Sequence, residues 1–284
     1  MAYVQTRLGR FFYEERGRAR SPDDAAIVLL HGYLFDGRMW GPQVGPLAEL
    51  GRVLVFDGPG HGKTEVPPPF SLEDHTEALG DAFRELGVAS AILIGLSWGG
   101  MVAMRFAIAH GDRVRAIALL DTSADVNTRS ERLKNRAFLS LHRRMGFPLS
   151  LFDRQIAPIL WGPDARRYQP GLVEQSARDT LGFDREGVYR AGMAIMIERT
   201  YLESKLASIR TPTLVLCGRE DRATPPDHSR RIASKILGAR LALIDDCGHT
   251  STLEKPEAVN AELVPFVKDA LEARTPSARP HAAS

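Results

Sequence analysis

The chain has 284 residues, 44% of them hydrophobic, with 37 basic side chains against 35 acidic ones. That length suits one large domain carrying an insertion and can bury a substantial core. The near-balanced charge, net +2, excludes the concentrated basic face that nucleic-acid binding requires, so no nucleic-acid partner is expected.

The first ten residues lack the apolar core of a secretory signal, and no stretch approaches about 18 uninterrupted apolar residues. The expectation is a cytoplasmic protein with no membrane partner. Apolar runs alternate with longer amphipathic stretches, the pattern of βαβ units around a parallel sheet. Residues 11–15 read as an early antiparallel strand. Residues 26–30 form a buried strand ending in His31-Gly32-Tyr33-Leu34, and 52–56 form the next. Residues 71–86 read as a helix: Ser71 is an N-cap with Asp74 three positions on, and Leu72, Ala78, Leu79, Ala82, Phe83 and Leu86 recur at helical spacing.

A strand over 90–94 leads into Gly95-Leu96-Ser97-Trp98-Gly99 and a helical run over 100–109. The strand at 116–120 ends at Asp121. From 123 to about 208 the alternation stops. No convincing strand occurs there, and 131–145 and 188–200 read as helices, with breaks at Gly146-Phe147-Pro148, Trp161-Gly162-Pro163 and Gln169-Pro170-Gly171. Strands resume at 213–217 and 241–245. A final helix runs from Pro256 to about Ala273, and 274–284 reads as disordered.

Ser97 fits G-x-S-x-G between an apolar strand and a helix, the context of a nucleophile elbow. Small neighbours are needed at such a turn, and Gly95, Gly99 and Gly100 supply them. A serine needs a base, and the base needs a carboxylate. In elbow hydrolases the order is serine, acid, histidine. Of the eight histidines, His142, His228, His249 and His281 lie far enough after Ser97. His281 is in a Pro/Ala/Ser tail, His142 in a charged helical stretch, and His228 beside a helix start. His249 follows a short strand through Asp246-Cys247-Gly248, on a loop at a strand's carboxyl end, where ligands meet open α/β sheets. Asp221, on the turn after 213–217, is the chosen acid. Glu220 is its neighbour on that turn, and Asp121 is a second possible location. The oxyanion needs donors; the backbone N–H groups of Trp98 and, by position, Tyr33 are chosen. His31 reads as a loop-bracing histidine. Cys217 and Cys247 give no disulfide framework and read as small apolar fillers under the site. No metal-ligand spacing is present, and no cofactor is expected.

These residues carry a resemblance. His31-Gly32, the loop Asp57-Gly58-Pro59-Gly60-His61-Gly62, the run from Gly95 to Gly100, Gly218 to Asp221, and Gly248-His249 resemble the α/β-hydrolase-fold serine hydrolases in order and spacing. The likeness spans roughly residues 10–272 and is nearest the small esterases, lactonases and perhydrolase-like enzymes. It implies an α/β fold with eight mainly parallel strands, helices on both faces and a helical cap after strand six. The core is then 1–122 with 209–273, and the cap 123–208. Dehalogenases and epoxide hydrolases of this fold carry Asp where Ser97 stands. Carbon–carbon bond hydrolases and Gly-Gly-Gly lipases differ at Tyr33-Leu34. The stretch from Gly95 to Ala103 is similar to that of the 3-oxoadipate enol-lactonases. The expected activity is hydrolysis of a small-molecule ester or lactone, with perhydrolysis or acyl transfer through the same acyl-enzyme, or an acidic lactone substrate, as alternatives. A non-catalytic ligand-binding role is the third reading. Leu34, Phe138, Trp161 and Met193 are pocket candidates, with Phe152, Leu160 and Met196 beside them.

Overall fold

The computed structural model describes residues 2–19, 21 and 24–273; the expectation for 274–284 lies outside them. Eight strands form one sheet: β1 (Ala2–Thr6), β2 (Gly9–Arg16), β3 (Ala26–Leu30), β4 (Val53–Phe56), β5 (Ala91–Leu96), β6 (Val114–Leu120), β7 (Thr213–Gly218) and β8 (Arg240–Ile244). Their order is β1-β2-β4-β3-β5-β6-β7-β8. β2 pairs antiparallel with β1 and β4, and every other pairing is parallel. β1 was not expected from the sequence. It forms a hairpin with β2 and shows only partial burial, as an edge strand does.

β3, β4, β5 and β7 are buried at every position. Strands covered on both faces become continuous apolar runs, which is why they are legible as such. Alternate side chains divide between two cores. Ala26, Val28, Leu30, Leu93 and Val215 face helices α2 (Leu72–Glu85), α3 (Trp98–Ala109) and α7 (Pro226–Lys235), while Ile27, Leu29, Ile94 and Leu216 face α1 (Gly41–Ala48) and α8 (Pro256–Glu272). α2 begins with the expected cap, a reciprocal box between Ser71 and Asp74.

A helical insertion occupies the chain between β6 and β7. It contains α4 (Arg129–Met145), α5 (Pro170–Leu181) and α6 (Arg185–Gly192) with shorter turns between. Two segments are π-helical, Phe152–Ile156 and Met193–Glu198. Pro163 and Pro170, expected as breaks, instead open helices at their first turn, where a missing N–H costs nothing. The insertion's ends meet, with the N–H of Leu202 donating to the carbonyl of Ala124 at 3.0 Å. Tyr33 reaches into it, its hydroxyl donating to the carbonyl of Val188 at 2.9 Å. No helix of the described residues is long and apolar enough to cross a membrane.

Candidate active site

The strand order reverses at β3, whose neighbours are β4 on one side and β5 on the other. Crevices at such points receive ligands in open α/β sheets. Ser97 stands at the carboxyl end of β5 with φ 52° and ψ −109°. This left-handed conformation is strained for a residue with a Cβ, at about 1–3 kcal/mol, and the surroundings must hold it. Its N–H donates to the carbonyl of Leu120 (2.8 Å), and its own carbonyl accepts from Thr122 Oγ1 (2.6 Å) and the N–H of Met101 (3.0 Å). The turn also demands its glycines. A Cβ on Gly95 would lie 2.3 Å from the backbone of Gly99, and one on Gly99 would lie 2.0 Å from the carbonyl oxygen of Leu30. All four non-glycine residues with positive φ among the described residues, Leu34, Ser97, Asp121 and Asp246, follow the carboxyl ends of β3, β5, β6 and β8. Strain therefore collects along one edge of the sheet.

Asp221 and His249 come together on that edge, His249 Nδ1 lying 2.9 Å from Asp221 Oδ2 with both side chains buried. Asp221 Oδ1 accepts from the N–H groups of Ala223 and Thr224, at 2.8 and 2.9 Å. Oδ2 also accepts from Thr224 Oγ1 at 2.8 Å. Burial opposes charge on His249, but the adjacent Asp221 carboxylate outweighs it and lifts the imidazole above its ordinary 6.5. Ser97 is half-buried, and its Oγ makes no hydrogen bond among the described residues, so a nucleophile–base contact is not formed here. Apo sites commonly hold such contacts long.

His31 braces the opposite wall as expected. The N–H of Gly58 donates to its Nε2 (2.6 Å), which leaves Nδ1–H to donate to the carbonyl of Gly32 (2.7 Å). The N–H groups of Tyr33 and Trp98 have no acceptor among the described residues. The side chain of Trp98 turns away into the core. It packs among His31, His61 and His75, with ring centroids 5.0–5.6 Å apart. Burial pushes both His61 and His75 down to about 3.

Leu34 lines a small cavity of about 110 Å³ with Phe35, Met39, Leu172 and Phe183. Phe138 stacks on Phe147 at 4.6 Å, Trp161 is buried against Phe35, and Met193 opens the second π-helical segment. A larger cleft of about 740 Å³ is lined by Asp36, Arg38, Asp57 and Lys63 and reaches neither Ser97 nor His249. His228, beside the start of α7, has its Nδ1 2.9 Å from Asp125 Oδ2 and from Ser123 Oγ. Cys217 and Cys247 are free and buried, and burial raises both thiols well above their ordinary range.

Sequence reasoning missed Glu254. Among the described residues this buried carboxylate has no cation paired with it, and it accepts from the N–H groups of Gly162 (2.9 Å), Gly248 (2.9 Å) and Thr250 (3.1 Å) and from Thr250 Oγ1 (2.8 Å). The N–H of His249 in turn donates to the carbonyl of Leu160 at 3.2 Å. The histidine's turn is thus bolted to residues 160–162 of the insertion. No local pattern announces this, because the donors come from two distant segments.

The chain is similar in sequence and fold to known proteins. A putative carbamate hydrolase, RutD of Serratia proteamaculans, is 28% identical over 264 residues, covering 90% of this chain and 95% of that one. The structure of a thermophilic esterase from Thermogutta terrifontis superposes with a TM-score of 0.87 at 28% identity, over 95% of this chain and 98% of the other. An enol-lactonase from Burkholderia xenovorans LB400 gives 0.85 at 27%, over 94% and 99%. The model of the alpha/beta hydrolase family matches residues 27–262. With its eight-stranded, mostly parallel sheet and helices on both faces, the chain belongs to the alpha/beta hydrolase family.

Proposed function

We propose that the protein is a serine hydrolase of small carboxylic esters or lactones, acting in the cytoplasm without a cofactor. The observation that carries this reading is the buried His249–Asp221 pair, at the same carboxyl ends of the sheet strands as a serine held in a left-handed elbow. Ser97 Oγ attacks the carbonyl carbon as His249 Nε2 takes its proton. Asp221 keeps the Nδ1–H tautomer and favours the imidazolium. The N–H groups of Trp98 and Tyr33 receive the oxyanion. His249 returns the proton to the departing alkoxide oxygen, and water, activated by the same base, then releases the acid from the acyl-enzyme. Residues 123–208 act as a cap, with Leu34, Phe138 and Met193 offering apolar surface to the substrate and the buried Trp161 packed behind them on Phe35. Esterases and an enol-lactonase among the similar proteins support this chemistry.

Ser97→Ala should cut kcat for a p-nitrophenyl ester by at least about a thousandfold with an unchanged circular-dichroism spectrum. Wild-type-like turnover by this variant would remove the reading. Transfer to peroxide or alcohol draws on the same acyl-enzyme and is scored by product analysis.

One observation favours a carboxylate-bearing substrate as a second reading. Arg199, partly buried at the insertion's exit, has no carboxylate within 4.0 Å among the described residues. It bonds to Asn127 Oδ1 (3.0 Å) and the sulfur of Met101 (3.5 Å), one helical turn beyond Ser97. Neutral substrates should have the higher kcat/KM. A preference for the carboxylated analogue of equal size, abolished by Arg199→Ala, selects the second reading.

A further inference from the structure

A second aspartate stands behind the proposed dyad. Asp121 ends β6 with φ +46° and no solvent exposure. Its Oδ1 accepts from the N–H of Gly218 (2.8 Å), and its Oδ2 is hydrogen-bonded to Ser251 Oγ. The carboxylates of Asp121 and Asp221 and the thiol of Cys217 lie within 4.8 Å of one another. The titratable groups facing Asp121 are Asp221, His249, Cys217 and Cys247, with the hydroxyl of Ser251, and no lysine or arginine pairs with it among the described residues. Glu254 adds a further carboxylate near His249.

Too much negative charge is a hazard here. Like charges this close in a dry site cannot both ionise cheaply. Were both aspartates charged at neutral pH, the imidazole would bind its proton more tightly and less of it would be free to act as a base there. We propose that Asp121 is a positioning residue that keeps a proton while the enzyme works, so that Asp221 alone charges His249, and that its ionisation at alkaline pH strengthens His249 as a base. This rests on the triad reading above.

Burial, and then the charge of Asp221, push the Asp121 carboxyl up to about 8; His249, the hydroxyl of Ser251 and the N–H of Gly218 pull the other way. Below that pH the acid proton sits on Oδ2 toward Ser251 Oγ, while Oδ1 keeps the N–H of Gly218. Asparagine reproduces both contacts and tolerates the left-handed backbone.

The test is kcat/KM for an activated ester from pH 5 to 10 in wild type, Asp121→Asn and Ser251→Ala. The wild type should show two inflections: a lower one from His249, and an upper one near pH 8 through which the rate rises about threefold. Asp121→Asn should keep the lower midpoint within about 0.3 unit and lose the upper inflection. Ser251→Ala deprives the ionised carboxylate of a donor, so it should move the upper inflection to higher pH and leave the lower one in place. A drop of about one unit or more in the lower midpoint of Asp121→Asn would show that Asp121 is charged alongside His249, and overturns the proposal. So does an upper inflection that survives Asp121→Asn, or one that Ser251→Ala leaves unmoved, the latter being decisive if Asp121→Asn fails to fold. An inactive Asp121→Asn beside a nearly normal Asp221→Asn instead overturns the acid assignment itself, with this proposal; loss of the serine mechanism is read separately from Ser97→Ala.

Discussion

Asp221 accepts hydrogen bonds from two backbone N–H groups, Thr224 Oγ1 and His249 Nδ1, with the Cys217 thiol a longer donor at 3.9 Å. In the proposed mechanism a carboxylate fixed this firmly orients its partner. Asp221→Asn keeps the volume but removes the acceptor for Nδ1–H. We expect kcat to fall by about four orders of magnitude, the size of the corresponding change in the serine-protease triad. Retention of more than a tenth of wild-type kcat would move the acid elsewhere. The acid limb of the rate profile should lie above pH 6.5, because burial is outweighed by Asp221 in setting the imidazole's affinity for its proton. Ser97, Asp221, His249 and His31 were readable because each closes an apolar run, so its place at a strand's end follows from local pattern. The partners Thr224, Ser251 and Glu254 were not, and Asp121 was readable only as a second place for the acid. Their roles depend on which strand ends become neighbours, and that is settled only when the sheet assembles.

The elements divide in the same way. Strands buried on both faces announce themselves, and capped amphipathic helices such as α2 do too. β1 carries no such signal, because an edge strand of five residues is half-exposed and gains its order from β2. α1, Gly41–Ala48, contains two prolines and two further glycines besides its polar Gln43, and it is held by packing against α8 rather than by propensity. The expected helix over 188–200 begins as α6 and then widens into a π-turn, a change of hydrogen-bond register that side-chain periodicity does not encode. The short helix Ser251–Glu254 shows what such unreadable contacts are worth. Glu254→Ala leaves three buried N–H groups, of Gly162, Gly248 and Thr250, without their acceptor, while Thr250 Oγ1 keeps the carbonyl of Leu160; each contact to a charged group is worth roughly 1.5–3 kcal/mol. Urea denaturation should show a loss of about 3 kcal/mol or more, with slower turnover from the loosened His249 turn. A loss under about 0.5 kcal/mol would mean that water replaces the carboxylate at no cost.

At the scale of the whole molecule, the histidines around Trp98 set the response to acid. Burial holds His61 and His75 at about 3 when folded, against an ordinary 6.5. Between those values the unfolded chain binds more protons than the native one, so stability is full above pH 6.5 and falls as pH drops toward 3. At pH 5 each histidine should cost about 2 kcal/mol. His249 works in the opposite sense, since its raised value stabilises the fold below 6.5 and that contribution is lost as pH climbs through the native value. His75→Phe, placed among Phe11, Phe70 and Trp98, should flatten the decline measured by urea unfolding at pH 7, 6 and 5. An unchanged slope would show that the His75 ring does not govern acid unfolding.

The insertion enters and leaves the sheet where Ala124 meets Leu202, and this invites its wholesale exchange for the equivalent piece of a relative. Such a transplant would carry off the carbonyl of Leu160 and the N–H of Gly162, and with them the floor on which His249 rests. The exchangeable parts are therefore two, 129–156 and 163–198. The six residues between them belong, by what they hold, to the sheet. A chimera that keeps 157–162 should change its choice of substrate and still turn over; one that replaces them inherits a new roof above a histidine that no longer stands in place.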